Sequence, residues 1–125
     1  MNNAVSWFEI PARNFDRARK FYETVLDVKI EVSPTSSKER KEGYFPADVN
    51  SGGVGGGLVE GEGYEPSQNG TLVYLNAGDD LSKALARVEQ AGGRIVVPKT
   101  SLGPNGFIAF FIDTEGNKVA FHSMK

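Results

Sequence analysis

The sequence predicts an α+β protein in which one strand–helix–strand unit occurs twice, about 65 residues apart. Three observations support the repeat: two amphipathic helical segments, two extended segments that each lead to a proline, and two turns that each begin with an aspartate. The turns begin at Asp48 and Asp113, and 113 − 48 gives an offset of 65 residues. Two copies of one unit place equivalent positions opposite each other around a shared cleft, so the residues at those positions determine the chemistry.

The first unit opens with a predicted strand over residues 6–10 and a helix over residues 14–26. Asn14 is a suitable N-cap for this helix. An extended segment over residues 29–32 follows, and Pro34 ends it. The apolar stripe of the helix has the spacing of one buried face and consists of Phe15, Ala18, Phe21, Tyr22, Val25 and Leu26.

The second unit repeats this order with a strand over residues 71–76 and a helix over residues 80–91. Asp79 or Asp80 can cap the start of this helix, and Gly92 with Gly93 supplies a left-handed end. An extended segment over residues 94–97 leads to Pro98. The apolar stripe here consists of Leu81, Ala84, Leu85, Val88 and Ala91.

Three other segments connect or end these elements. Residues 33–42 are polar and charged and are predicted to form a loop, and residues 61–70 form the connection between the two units. The glycine-rich segment 52–57 has neither the spacing of a dinucleotide-binding loop nor a following Gly-Lys-Ser/Thr. Glycines in a strand usually mark the close approach of a ligand or another backbone, so we interpret this segment as a strand.

Composition restricts the possible functions. The 125 residues suit a single domain over residues 1–125, built of modules 1–62 and 69–125. A net charge of −2 provides no general attraction to nucleic acid or to an anionic membrane, and no apolar run is long enough to cross a bilayer. The N-terminal residues lack the pattern of a signal peptide, which favours a cytoplasmic location. No cysteine and one histidine are present, which excludes disulfides, Cys-ligated zinc and any site with two histidines from one chain.

Three short motifs resemble the vicinal oxygen chelate superfamily, which includes glyoxalase I, bleomycin-resistance proteins and extradiol dioxygenases. They are Phe21-Tyr22 in the first helix, Ala91-Gly92-Gly93 after the second helix, and the turn over residues 113–117 before the last strand. The resemblance covers essentially the whole chain. It implies a glyoxalase/bleomycin resistance-like fold of two βαβββ modules, whose curved sheets enclose a cleft, and it implies a homodimer in which a partner completes or borders that cleft.

In metal-dependent members, His or Glu projects into the cleft from the first and last strands of each module. The resemblance carries these four positions onto Trp7, Leu72, Ala120 and Gly55, with Gly57 as the alternative to Gly55 and a register uncertainty of one at Leu72. None of them offers the imidazole or carboxylate that a divalent cation requires. We therefore predict that this protein has neither the metal of the family nor another cofactor.

Side chains alternate along a strand, so the cleft-facing set extends from these positions in steps of two. Val5 and Lys118 belong to this set, whereas Phe8, Ile10, Val119 and Phe121 are expected to pack behind it. Glu9 and His122 are weak catalytic candidates, because an acid and an imidazole at hydrogen-bonding distance can exchange a proton. The candidate ligand-binding residues are Trp7, Glu9, Gly55, Gly57, Leu72, Tyr74, Asn76, Ala120 and His122.

This set indicates a metal-independent protein that binds an apolar or aromatic small molecule. The alternative is a lyase, isomerase or dioxygenase of the glyoxalase I type, with a metal held by Glu9, Glu60 and His122 or with a metal-free mechanism that uses Glu9. A third possibility is an interaction domain whose cleft is closed by its own side chains. The sequence does not identify the ligand.

Overall fold

The computed structural model describes residues 2–125 and contains two copies of a strand, a helix and three further strands. The elements of the first module are β1 (Trp7–Pro11), α1 (Phe15–Leu26), β2 (Glu31–Val32), β3 (Arg40–Phe45) and β4 (Gly55–Gly61). The elements of the second are β5 (Tyr74–Asn76), α2 (Ser82–Val88), β6 (Arg94–Ser101), β7 (Phe107–Ile112) and β8 (Lys118–Ser123). Short 3₁₀ turns at Val49–Ser51 and Gly103–Asn105 complete the chain.

Each module forms one four-stranded sheet, and the strand orders β1-β4-β3-β2 and β5-β8-β7-β6 are the same topology. The first and last strands of each module pair in parallel, and the other pairs are antiparallel. The α+β fold with two βαβββ modules is therefore confirmed. Within residues 2–125 the sheets share no hydrogen-bonded strand pair, so they do not close into a barrel.

Helix α1 follows the sequence prediction closely. The side chain of Asn14 accepts a hydrogen bond from the backbone N–H of Arg17 at 3.0 Å, which is the predicted N-cap. The helix ends at Asp27, which adopts a left-handed conformation with φ of 53°. Every residue of the predicted apolar stripe lies in the core or packs against it.

Helix α2 is shorter than the predicted range 80–91. The carboxylate of Asp80 accepts a hydrogen bond from the N–H of Ser82 and is also held by the Lys99 ammonium, each at 2.9 Å, so the chain before Ser82 forms a turn. At the other end Gly92 has φ of 104°, and the N–H of Gly93 reaches the carbonyl of Val88 at 2.9 Å. The predicted glycine end is therefore confirmed. The predicted N-cap at Asp79 or Asp80 is wrong, because Leu81 is the N-cap residue and no side chain caps the helix, and the predicted bounds are too wide.

Two strand predictions and one loop prediction were wrong in extent. Only residues 74–76 of the predicted strand 71–76 pair with β8. Pro98 does not end its segment, because β6 continues to Ser101 across a register shift between Val97 and Thr100. The predicted loop 33–42 ends early, since β3 already begins at Arg40 and includes Glu42.

One hydrophobic core lies between the two helices and the helix-facing sides of both sheets. Ile10, Val119 and Phe121 belong to it and Phe8 packs against it, as predicted from strand alternation. Because residues of both modules contribute to the same cluster, the modules are two halves of one folding unit. No helix among residues 2–125 has the length and apolar character needed to cross a membrane.

The turn that begins at Asp113 joins the two modules. The buried Asp113 carboxylate accepts hydrogen bonds from the Tyr22 hydroxyl at 2.6 Å and from the side chain of Asn117 at 2.9 Å. Asn117 also donates to the carbonyl of Pro11 at 2.7 Å. A side chain at Gly93 would collide with the ring of Phe21, its Cβ lying 2.8 Å from that ring. The motifs on which the family resemblance rests are thus contacts that hold the modules together.

Glu115 in the same turn caps the N-terminal end of α1. Its carboxylate, which has no exposed side-chain surface, accepts from the N–H groups of Arg13 and Asn14 at 2.8 and 2.7 Å and from the guanidinium of Arg17 at 2.7 Å. Burial raises the pKa of Glu115, but the hydrogen bonds from Arg17, Asn14 and Thr114 outweigh it, and the net pKa is lowered. The acid therefore remains a carboxylate at the positive end of the helix.

Candidate functional site

Each sheet has one face against the helices and one face turned away from them. On the first sheet, Trp7 pairs with Gly55, and both Glu9 and Tyr44 pair with Gly57. Side chains at paired positions lie on the same face, which here is opposite to that of Phe8 and Ile10. These residues therefore form the outer face of the first sheet, which we define as Trp7, Glu9, Arg40, Glu42 and Tyr44.

An aromatic wall covers the glycines of this face. The rings of Trp7 and Tyr44 meet edge to face, with centroids 5.7 Å apart and planes at 75°. A Cβ atom at Gly55 would lie 3.0 Å from Cζ3 of Trp7, and one at Gly57 would lie 3.4 Å from Cζ2. The indole therefore occupies part of the space that the sequence analysis assigned to a ligand, while 44% of Trp7 is still exposed.

A guanidinium and two carboxylates lie beside the aromatic wall. Arg40 Nη1 donates to Glu42 Oε1 at 2.6 Å, and its Nη2 lies 3.1 Å from the Tyr64 hydroxyl and 3.5 Å from Glu9 Oε2. The hydrogen bond to Glu42, followed by that to Tyr64, raises the pKa of Arg40. Trp7 Nε1 also donates to Glu9 Oε2 at 3.4 Å. Glu9 is thus a paired carboxylate at the rim of the site.

The second sheet has a matching outer face. Tyr74 pairs with Ala120, and Asn76 pairs with His122. Because Gly55 and Ala120 are equivalent at the offset of 65, the partner of Ala120 is the counterpart of Trp7. That partner is Tyr74, so the sequence alignment that placed the counterpart at Leu72 was wrong by two residues.

Aromatic and cationic groups lie together on this second face. The rings of Tyr74 and Phe110 meet edge to face at 5.9 Å, and the Lys118 ammonium lies 5.8 Å from the centroid of Phe110. His122 Nε2 lies 2.8 Å from the carbonyl oxygen of Asn105. A carbonyl only accepts, so Nε2 carries a proton that it donates to Asn105, and Nδ1 makes no hydrogen bond to residues 2–125.

Two cavities border these faces. The first, of about 680 Å³, lies between β1 and β5 and is lined by Val5, Trp7, Glu9, Leu72, Tyr74 and Asn76, among others. The second, of about 570 Å³, is lined by Tyr74, Asn76 and His122 together with the C-terminal residues. Both volumes lie within the range of small-molecule sites.

The structure brings together most, but not all, of the predicted site residues. Trp7, Glu9, Leu72, Tyr74 and Asn76 share the first cavity. Ala120 has no exposed surface and forms part of the floor beneath Tyr74.

The predicted catalytic pair is not formed. Glu9 is bound by Arg40 and Trp7, whereas His122 is bound by Asn105 and lines the second cavity. An acid–base role for the two residues as a pair therefore has no support in their hydrogen bonds.

The residues at the family's four ligand positions do not fit a divalent cation. Trp7, Gly55, Tyr74 and Ala120 offer no imidazole and no carboxylate. The alternative trio of Glu9, Glu60 and His122 also fails, since Glu60 lies on the helix-facing side and accepts from the N–H of Phe15 at 2.7 Å. Within residues 2–125, no three His, Asp or Glu side chains converge in a way that could hold a metal.

Sequence reasoning missed Arg40, Glu42 and Tyr44. No alternation of polar and apolar residues marks this strand, because Arg40, Lys41 and Glu42 are all charged. Only the pairing of residues 40–45 with β4 identifies it as a strand.

The model of the Glyoxalase/Bleomycin resistance protein/Dioxygenase superfamily matches residues 4–121. The chain belongs to this superfamily. A "Glyoxylase-like domain-containing protein" of Didymella fabae is 32% identical over 124 residues, covering 94% of this chain and 91% of that relative. The resemblance that the motifs indicated is thus confirmed at the level of the superfamily.

Solved structures of the superfamily share the fold. A glyoxalase/bleomycin resistance protein/dioxygenase family enzyme from Burkholderia phytofirmans superposes with a TM-score of 0.70 at 17% identity, over 96% of this chain and 98% of that one. The genomically encoded fosfomycin resistance protein FosX from Listeria monocytogenes superposes with a TM-score of 0.68 at 14% identity, over 100% and 94% of the two chains. At such identities these superfamily members establish the common architecture and leave the ligand open.

Proposed function

We propose that this superfamily member is a small-molecule-binding protein that holds an apolar or aromatic ligand without a metal ion. The observation that carries the proposal is the cavity of about 680 Å³ into which Trp7 and Tyr74 present half-exposed rings. Aromatic side chains supply large apolar contact area, and a few polar groups orient the ligand. Glu9 and Asn76, together with Asn3 and Thr71, supply polar side chains in this cavity.

A thermal-shift screen of small aromatic compounds, with EDTA or with added Ni²⁺, Zn²⁺ or Mn²⁺, tests the proposal. A ligand at about 100 times its dissociation constant stabilises the folded state by about 2.7 kcal/mol. We expect hits whose shift is the same with EDTA and with metal. Hits that stabilise only with an added metal would contradict metal independence.

Variants locate the binding site. Trp7→Ala removes half of the aromatic pair and should weaken a hit by at least about tenfold, since truncating a buried contact ring costs more than 1 kcal/mol. Leu102→Ala is the matched control, because Leu102 is exposed to a similar extent, 45% against 44%, and lies near the 3₁₀ turn between β6 and β7. Equal losses in both variants would place the ligand elsewhere.

We propose further that the protein is a homodimer in which a second copy covers these outer faces. A single chain leaves large aromatic rings exposed on these faces, since 44% of Trp7 and 51% of Tyr74 are exposed. Monomeric proteins rarely expose large contiguous apolar patches. Light scattering coupled to size exclusion should give twice the chain mass of 13.5 kDa, and a monomer at micromolar concentration would refute the dimer.

Catalysis is the second candidate function, and one observation favours it. The proton on Nε2 of His122 is directed to Asn105, which leaves Nδ1 free to act as a base in the second cavity. The hemithioacetal of methylglyoxal and glutathione is a suitable test substrate, because isomerisation requires a base. Turnover that is lost in His122→Asn and retained in Glu9→Gln would support this candidate, and no turnover above the buffer rate would exclude that substrate class.

A further inference from the structure

Glu42 is a buried acid on the outer face of the first sheet that neither the family positions nor the sequence reasoning identified. Only 7% of the residue is exposed. Arg40 holds one of its carboxylate oxygens, Oε1, at 2.6 Å. The other oxygen, Oε2, accepts no hydrogen bond from any residue in the range 2–125. It is not fully buried, so part of its surface is exposed. Oε2 is therefore an acceptor that retains some exposed surface on the outer face of the first sheet, beside Trp7.

The surroundings of this oxygen suit a flat ligand. A Cβ at Gly57 would lie 3.4 Å from Glu42 Oε2 and 3.4 Å from Trp7 Cζ2. Because Gly57 has no side chain, Glu42 Oε2 and the edge of the Trp7 indole border the same space. The carbonyl oxygen of Gly43, also 3.4 Å from that Cβ position, borders the same space, and the ring of Tyr44 meets Trp7 edge to face.

The charges of the cluster leave one carboxylate uncompensated. Arg40 is shared between Glu9 and Glu42, at 3.5 and 2.6 Å, so one guanidinium serves two acids. Lys118 lines a narrow crevice of about 50 Å³ together with Glu9, and its ammonium lies over Phe110 of the second sheet. Lys118 makes no ion pair with Glu9 or Glu42 within residues 2–125, so the two acids share the single guanidinium of Arg40.

We propose that the ligand carries a protonated nitrogen next to a flat apolar ring, and that Glu42 Oε2 accepts a hydrogen bond from that nitrogen. Hydrogen bonds between a cationic donor and a carboxylate are about twice as strong as neutral ones. The edge of the Trp7 indole supplies apolar contact for the ring of the ligand. This assignment rests on the proposed small-molecule-binding function and specifies the class of molecule bound.

Three probes of one shape and different charge test the assignment: phenethylamine, phenethyl alcohol and phenylacetate. Trp7 is the sole tryptophan of the chain, so its fluorescence reports binding at the site directly. We expect phenethylamine to bind at least about tenfold more tightly than the alcohol, and phenylacetate to bind most weakly, because only the amine forms the charge-assisted hydrogen bond.

Glu42→Gln should reduce the preference for the amine to about twofold or less, since the amide keeps the shape and removes the charge. Glu39→Gln is the matched control, because Glu39 is exposed and precedes β3 in the same segment. Circular dichroism and thermal melts show whether each variant is folded, and the preference measured with the wild-type protein tests the ligand class independently of any variant.

The outcomes separate the two proposals. Failure of all three probes to change the Trp7 fluorescence at millimolar concentration overturns both. Binding of all three with equal affinity, or tightest binding of phenylacetate, overturns the cationic ligand class and leaves the binding function standing. An amine preference that persists in Glu42→Gln overturns the role of Glu42.

Discussion

Replacing Tyr22 with Phe removes one oxygen atom from the contact that joins the two modules. The ring of Tyr22 has no exposed surface, and its hydroxyl donates to Asp113 Oδ2 at 2.6 Å. Burial, followed by the charge of Asp113, raises the pKa of Tyr22, so the hydroxyl is protonated and donates at neutral pH. In the variant, Oδ2 keeps only the hydrogen bond from the Asn117 side chain at 2.9 Å.

The structure allows the size of this loss to be calculated. A hydrogen bond to a charged group contributes about 1.5–3 kcal/mol, and the ring itself stays packed, so we expect a loss of about 2 kcal/mol. With an unfolding entropy of about 2.1 cal/mol/K per residue, a chain of 125 residues has about 0.26 kcal/mol/K. Dividing the expected loss of about 2 kcal/mol by this entropy predicts a fall in the melting temperature of about 8 °C.

Urea denaturation followed by circular dichroism gives the free energy of unfolding, and calorimetry gives the melting temperature. Tyr74→Phe is the control, because 51% of Tyr74 is exposed and its hydroxyl makes no hydrogen bond to residues 2–125; it should stay within about 0.5 kcal/mol of the parent. A loss below about 0.5 kcal/mol for Tyr22→Phe would refute the reasoning that this hydrogen bond links the modules.

Two further predictions concern adjacent glycines and a capping acid. Gly56→Ala should destabilise the protein by about 1–3 kcal/mol, because its Cβ would collide with the ring of Phe8. Gly57→Ala, whose Cβ would have its nearest neighbours at 3.4 Å, should cost less than about 1 kcal/mol. Equal losses of the two variants in urea denaturation would contradict the assignment of the two faces. The folded-state pKa of Glu115 is lowered, so its stabilising effect is fully present above its unfolded pKa of about 4.3 and is lost as the pH falls through the folded value. The difference in unfolding free energy between the wild type and Glu115→Gln should therefore shrink below about pH 4, and a difference that stays constant down to pH 2 would contradict the role of Arg17 in holding the ionised form.

Local rules predicted the first module's helix and the faces of the strands. The N-cap at Asn14 and the buried stripe of α1 depend on residues within three or four positions of each other, which the sequence shows directly. The separation of Phe8 and Ile10 from Trp7 and Glu9 follows in the same way from the period of a strand.

Long-range pairing determined what local rules could not. Tyr74 rather than Leu72 stands opposite Ala120 because the parallel register of β5 and β8 is set by contacts between segments more than 40 residues apart. Glu42 belongs to a strand because β4 pairs with it, although the polar residues before it resemble a loop. Glu60 faces α1, where its carboxylate accepts a hydrogen bond from the N–H of Phe15 in the first turn of that helix.

The sequence by itself determined the repeat, the superfamily and the absence of an imidazole or carboxylate at Trp7, Gly55 and Ala120, since each is a matter of residue identity at fixed spacing. Only the tertiary structure decided that the indole of Trp7 lies across Gly55 and Gly57, and that Arg40 is shared between Glu9 and Glu42. The physical reason is that side-chain contacts across a sheet depend on register and rotamer, which the packing of distant segments selects. The chemistry of the candidate site therefore resides in side chains of β1 and β3, which are brought together by the glycines of the strand between them.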